Sequence, residues 1–153
     1  MHAGEYIITN FTPIVKAMNL YEHVDLITKN QNKFPEYEEQ TLKSEDGTVT
    51  RVFIMRQDSL VNKARKQAYE IYALADSANR INLNYEPWRK EERLRKQREA
   101  IAICEDHLSA IQLCRKHFHL SYRKIKHWGS MTIDVRDSIK HWHKGDVDRY
   151  KEI

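Results

Sequence analysis

Four segments of the chain place apolar residues at alternating spacings of three and four, which is the pattern of amphipathic α-helices. The second segment is the most regular, and its apolar positions are largely alanines that would let a neighbouring helix approach closely. Ile71 in this segment and Leu108 in the third lie at the centres of their apolar stripes, so both are predicted core residues. We predict helices over about 12–30, 56–82, 86–118 and 121–145.

The predicted helix ends and connections determine the fold class. Thr12 is the predicted N-cap of the first helix, with Pro13 as its first helical residue. Ser121 is the predicted N-cap of the fourth helix, which we expect to end at Gly145. Short connections between long helices make them antiparallel neighbours. The sequence therefore predicts an all-α, antiparallel up-down four-helix bundle over 12–145, with an N-terminal extension (1–11) and a C-terminal tail (146–153).

The region between the first two helices follows a different pattern. Pro35 breaks any helix there, and the residues after it alternate in polarity around Asp46-Gly47, a dipeptide typical of hairpin turns. We predict a small hairpin-like insertion at about 41–55, with strands at 41–42 and 48–53. A disordered excursion is the alternative, because an isolated hairpin is marginal in water.

Composition excludes several classes of protein. The chain has 153 residues, 41% hydrophobic and 31% charged, which is typical of a globular domain with a charged surface. Four glycines and three prolines are too few for an all-β domain, and the sequence has no glycine-rich phosphate loop. Residues 1–10 lack the pattern of a secretory signal, and no apolar run reaches the roughly 20 residues of a membrane span. We expect a cytoplasmic protein without membrane association.

The charge is distributed unevenly along the chain. Residues 1–46 hold four lysines and eight acidic residues, net −4, whereas the remaining residues carry 22 basic and 14 acidic residues, net +8. The densest basic stretch spans 115–127 and contains no acidic residue, and Phe118 and Tyr122 are interleaved with its charges. Lysine and arginine neutralise phosphates and aromatic rings stack on unpaired bases, so this stretch is a candidate RNA site. Its basic residues are Arg115, Lys116, Arg123, Lys124 and Lys126.

A second basic run covers 89–98, where the charges are mixed with glutamates. Arg89 and Lys96, together with Arg93, could extend a basic surface for nucleic acid. The alternative is an exposed helix face on which neighbouring charges pair locally. A solvated surface without any nucleic-acid role is the corresponding alternative for 115–127.

No metal site or cofactor is expected from the cysteines and histidines. Cys104-x2-His107 and Cys114-x2-His117 form two similar pairs, but Cys104 and His117 are 13 positions apart on one helix. That separation is about 20 Å, which is too far for one zinc ion. Cys104 lies on the apolar stripe, where a free cysteine is an ordinary small hydrophobe.

The order of several short motifs resembles a known family. Thr12–Tyr21 opens the first helix, Lys33-Phe34-Pro35 and Thr41-Leu42 follow, and Ile139–Lys144 comes late in the fourth helix. This order is similar to the small four-helix-bundle proteins related to the accessory variability determinant of diversity-generating retroelements. Those proteins are akin to proteins encoded in ribosomal RNA intervening sequences.

The resemblance implies a non-catalytic accessory factor. Family members assemble as basic pentamers, bind nucleic acid, and partner a reverse transcriptase and its template RNA during cDNA synthesis. The chain departs from the family in Glu36, Glu38 and Glu39, where basic residues are expected, and in an insertion at about 43–53. The expected partners are therefore RNA, with cDNA or other DNA as an alternative nucleic acid, a reverse transcriptase and further copies of the chain.

Two other functions remain open from the sequence. Arg136 and His141 have the Arg-x4-His spacing that resembles the motif of HEPN-type ribonucleases, in which Arg stabilises charge and His transfers protons. The other alternative is a helical assembly protein without a nucleic-acid role.

Overall fold

The computed structural model describes residues 10–29, 37–55 and 60–150, and four α-helices account for most of them. Several predicted features lie outside this described part: most of the N-terminal extension, the Lys33-Phe34-Pro35 motif with Glu36, and the predicted start of the second helix at 56–59. The helices are α1 (Thr12–Thr28), α2 (Leu60–Arg80), α3 (Lys90–Phe118) and α4 (Tyr122–Tyr150).

The hairpin predicted between the first two helices is confirmed, and it is longer than predicted. Strands β1 (Tyr37–Lys43) and β2 (Val49–Met55) pair antiparallel, with Thr41 opposite Arg51. In the turn, the Thr48 amide donates to the Asp46 carboxylate at 2.9 Å, and Gly47 has a φ of 89°. Because that φ is in the left-handed region, the turn favours glycine at this position. Every side chain from Gln40 to Arg51 is exposed.

Two predicted helix boundaries are wrong. Thr12 is the first helical residue rather than the N-cap, and the carbonyl of Phe11 accepts the first helical hydrogen bonds. Gly145 does not end α4, which continues to Tyr150, so the predicted tail from 146 begins as helix. Asp146 explains the continuation, because this residue is 2% exposed and its carboxylate accepts a hydrogen bond of 2.7 Å from Arg93 on α3.

The helices pack around one hydrophobic core, with α1 against α2 and α4, and α3 against α2 and α4. Contacts join the end of one helix to the start of another. Arg65 near the start of α2 donates to Thr28 at the end of α1, and Phe11 packs edge-to-face on Trp142 late in α4. Ile71 is fully buried as predicted. The neighbouring helices can approach α2 closely because its buried face carries small side chains. These fully buried residues are Ala64, Ala68, Ala75 and Ala78.

The buried face of α3 agrees with the predicted stripe at Cys104 but not at Leu108. Leu108 is only half-buried, whereas the neighbouring His107 is fully buried. The buried seam keeps the spacing of three and four but follows Arg93, Gln97, Ala100, Cys104, His107, Ile111 and Cys114. None of the helices in the described part of the chain is long and apolar enough to cross a membrane.

Candidate nucleic-acid interface

A tight connection brings the end of α3 beside the start of α4. His119 takes the left-handed conformation, with a φ of 54°, and the Leu120 amide then donates to the Arg115 carbonyl at 3.3 Å. Leu120 is buried beneath the turn. The predicted N-cap is confirmed, because the Ser121 hydroxyl accepts a hydrogen bond of 3.3 Å from the Lys124 amide. The basic residues that flank the turn on α3 and α4 therefore belong to one end of the molecule.

All five basic residues predicted in this stretch are exposed, and we refer to them as the basic end. Among the residues that the structure describes, none of the five forms an ion pair. Five positive charges that lack an acidic partner remain available to an external anion. The basic end consists of Arg115, Lys116, Arg123, Lys124 and Lys126.

One aromatic ring at the basic end is accessible to a ligand. Tyr122 is 65% exposed, and the Arg115 guanidinium lies over its ring at 5.7 Å. Phe118 is half-buried against the core, and Trp128 is fully buried within it. Only Tyr122 among these three rings can therefore stack on an unpaired base.

Two cavities flank the first turns of α4. A groove of about 550 Å³ separates α3 from α4, and its lining includes Arg115, Tyr122 and Lys126. A pocket of about 820 Å³ lies between α1 and α4, and Lys126 also borders this second cavity. The basic side chains of α4 therefore form a ridge between two concave surfaces.

The pocket between α1 and α4 contains a residue that the sequence did not single out. His23 of α1 packs edge-to-face on His127 of α4, with ring centroids 4.9 Å apart. The pKa of His23 is lowered, first by burial and then by the charge of His127. No carboxylate is among the described residues that line this pocket. Its polar lining includes His23, Ser121, Arg123, Lys124, Lys126 and His127.

Arg89 and Lys96 do not join the basic end. Arg89 precedes α3 and lies about 40 Å from Arg115 along that helix, at 1.5 Å per residue. Its guanidinium donates to Glu86 at 2.8 Å and to Glu92 at 3.0 Å. The pKa of Glu92 is lowered, mainly by its hydrogen bond from Arg89 and to a smaller extent by the charge of Lys96. Arg89 and Arg95 therefore pair with nearby glutamates, as in the alternative interpretation of this run.

Arg93 is also unavailable as a surface charge, which corrects the prediction that it could extend a basic surface. It is 9% exposed, and its Nε donates to Asp146 while its Nη1 donates to the Ile81 carbonyl at 2.8 Å. Its guanidinium also lies over the Trp142 ring at 5.4 Å. A charge held in this way joins α3 to α4 and cannot reach a phosphate outside.

The residues of the Arg-x4-His motif face different neighbours. Arg136 pairs with Asp137 at 3.0 Å and with Glu105 of α3 at 3.4 Å. His141 borders a separate cavity that also includes Phe11 at the start of α1. Five positions correspond to about 140° around a helix, so the two side chains do not converge on one phosphate.

The cysteines and histidines of α3 are engaged in packing. Cys104 and Cys114 are buried, and burial raises the pKa of these thiols to about 12 and about 11. His107 has both ring nitrogens hydrogen-bonded, to Gln67 and Trp128 at 3.0 Å each. In the described part of the chain, no three His, Cys, Asp or Glu residues lie close enough together to hold a metal ion.

Comparisons of the chain with protein-family models, with curated proteins and with solved structures found no match. The chemistry of the basic end therefore has to be interpreted from its own residues.

Proposed function

We propose that this chain is an antiparallel up-down four-helix bundle that binds nucleic acid, and RNA in particular, without catalysing a reaction on it. The observation that carries the proposal is the basic end. Its five exposed Lys and Arg side chains form no ion pair with the described residues, and four of them border two cavities. The groove beside α3 supplies a stacking ring, Tyr122. This combination of unpaired positive charge and an accessible ring suits a single strand better than a duplex.

The electrostatic basis is the release of counterions from phosphates. Each Lys or Arg that contacts a phosphate displaces condensed counterions, which favours binding and makes it depend on salt. Arg89 is already paired with Glu86 and Glu92, so it would contribute much less binding free energy on contact with a phosphate. The proposal therefore assigns affinity to the basic end and excludes Arg89 and the buried Arg93.

The partner in the cell is proposed from the resemblance of the sequence motifs. We propose that the protein is a cytoplasmic accessory factor that assists a reverse transcriptase of a diversity-generating retroelement in cDNA synthesis from template RNA. Co-purification of this chain with such a reverse transcriptase, in the presence of nuclease, would support a direct protein contact. Recovery of the chain alone would leave RNA binding as its only proposed activity.

The binding proposal is tested by incubating the pure protein with labelled single-stranded RNA at low salt. A slower-migrating band of intact RNA is expected. Cleavage would instead favour the ribonuclease alternative, and it should then disappear in Arg136→Ala and His141→Ala. A free, intact RNA band at every protein concentration would contradict the proposal and favour an assembly protein.

A further inference from the structure

The pocket between α1 and α4 has a property that general binding of a nucleic-acid backbone does not require. Two histidine rings meet at its wall, and the buried Nε2 of His23 has no hydrogen-bond partner among the described residues. A buried polar atom without a partner costs free energy, so a ligand that pairs with it gains affinity. His23 lines a pocket whose other ionisable lining residues are basic.

We propose that this pocket binds the terminal phosphate of an RNA strand, an inference that rests on the proposed RNA-binding function. A phosphate monoester carries nearly two negative charges at neutral pH, whereas an internal phosphodiester carries one. A wall with Arg123, Lys124, Lys126 and two histidines favours the more highly charged group. The cavity of about 820 Å³ is large enough for a terminal nucleotide as well as its phosphate.

The positions of the cations define where the rest of the strand lies. The α1 side of the pocket is formed by Leu26, Ile27 and His23, so it offers no fixed positive charge to a continuing backbone. On the α4 side, Lys126 borders both the pocket and the groove that contains Arg115 and Tyr122. A strand whose end occupies the pocket therefore continues over Lys126 towards Tyr122, where a base can stack.

The lowered pKa of His23 has a consequence for phosphate binding. Burial is its main cause, and the charge of His127 adds to it. A phosphate beside the ring stabilises the protonated form, so bound phosphate should raise the pKa of His23.

The test compares three labelled RNAs of one sequence, with a 5′-phosphate, a 3′-phosphate or hydroxyls at both ends. Fluorescence anisotropy at constant salt should show about tenfold tighter binding of one phosphorylated RNA, equivalent to about 1.4 kcal/mol. His23→Gln and His127→Gln should each lose most of this preference, measured as the ratio of the affinities for phosphorylated and hydroxyl RNA. The control His141→Gln, an exposed histidine in the second half of α4, should keep the preference.

Equal affinity of the native protein for all three RNAs would overturn the proposal. Circular dichroism checks that the variants are folded. If His23→Gln fails to fold, the exposed Lys124→Ala probes the same pocket, and an unchanged ratio between phosphorylated and hydroxyl RNA would count against it.

A separate measurement distinguishes this proposal from the proposed function. Inorganic phosphate is titrated into the protein while NMR follows the histidine ring protons. Selective shifts of His23 and His127 would support a phosphate pocket even if no RNA bound and the RNA-binding proposal had failed. Unchanged resonances would overturn the pocket, even if RNA bound elsewhere on the basic end.

Discussion

Trp128 of α4 donates a hydrogen bond of 3.0 Å from its indole Nε1 to Nε2 of His107 on α3, and both side chains are fully buried. This contact determines the tautomer of His107, because Nε2 must accept and the proton therefore sits on Nδ1. The Nδ1–H group then donates to Gln67 of α2, also at 3.0 Å. Three helices are thus connected through one neutral imidazole at the centre of the core.

This arrangement predicts a loss of stability at mildly acidic pH. Burial lowers the pKa of His107 from 6.5 to about 4. Because the pKa of His107 is lower in the folded state than in the unfolded state, its neutral form stabilises the fold fully at pH values above the unfolded-state pKa. This stabilisation is lost as the pH falls towards the folded-state pKa, because the unfolded chain binds the proton more readily. The free energy of unfolding should decrease by about 3 kcal/mol between pH 6.5 and 4 from this group. Urea denaturation at several pH values measures it.

The matched variant for this prediction is His107→Gln, since an amide can accept from Trp128 and donate to Gln67 without titrating. It should flatten the pH dependence in this range. His23 and His143 also have lowered pKa values, so a smaller slope of the same sign should remain. A native protein equally stable at pH 7 and pH 4.5 would show that His107 does not titrate from a neutral buried state.

The Arg93–Asp146 ion pair predicts that the last turns of α4 contribute to the stability of the fold. Asp146→Ala would leave the Arg93 charge buried without its carboxylate, at a cost of about 3–5 kcal/mol. Asp148→Ala, two residues further along and exposed, should change stability by no more than about 0.5 kcal/mol. Thermal denaturation of the two variants measures the difference. Truncation after Gly145 should resemble Asp146→Ala; a truncated chain as stable as the full one would contradict the importance of this pair.

The shifted face of α3 predicts unequal effects of two core substitutions. Ile71→Ala removes a fully buried side chain and should cost about 2–5 kcal/mol through the cavity it leaves. Leu108→Ala should cost clearly less, because Leu108 is half-buried beside the α3–α4 groove. Chemical denaturation of both variants tests the assignment. Equal costs would mean that Leu108 belongs to the core, as its position in the sequence suggested.

The sequence predicted the helices well because their apolar spacing is regular, and it predicted the hairpin because Asp46-Gly47 is a specific turn signal. The predicted end of α4 was wrong because glycine is only an indirect signal of a helix end. The decisive contact, from Asp146 to Arg93, joins residues 53 positions apart in the chain. Local patterns carry no information about such a pair.

The buried face of α3 was misassigned in part, for a similar reason. Ile101 and Leu108 of the apolar stripe are only half-buried, whereas the polar residues Arg93, Gln97 and His107 are buried. Polar residues can occupy a core when their hydrogen bonds are satisfied from other helices. Those partners, such as Asp146 for Gln97 at 2.7 Å, become visible only once the helices are packed.

The candidate site was predictable in part. Residues 115–126 are close in sequence, so a short connection between helices was enough to bring their charges together. His23 lies about 100 positions from His127, and only the packing of α1 against α4 brings the two rings together. Arg89 was included in the predicted site because the sequence shows its charge but not its pairing with Glu86 and Glu92.

Self-association is a further prediction, and it rests on the resemblance to a pentameric family. Two large apolar side chains of α1 that do not line the pocket are exposed, Met18 at 40% and Tyr21 at 42%. Contact with further copies of the chain would cover such residues. Light scattering at micromolar concentration should give a mass several times 18.3 kDa. A monomeric mass in the absence of a partner would contradict assembly by this chain alone.

The central claim is that the basic end binds the phosphates of RNA, and the salt dependence of binding tests it most directly. Arg123→Ala/Lys124→Ala/Lys126→Ala is compared with a control triple that removes equal charge from exposed positions elsewhere, Arg98→Ala/Lys144→Ala/Arg149→Ala. On single-stranded RNA, each lost phosphate contact should lower the slope of log affinity against log salt by about 0.7. We predict weaker binding and a slope smaller by about 2 for the first triple, and an almost native slope for the control. Native affinity of the first triple at every salt concentration would contradict the claim.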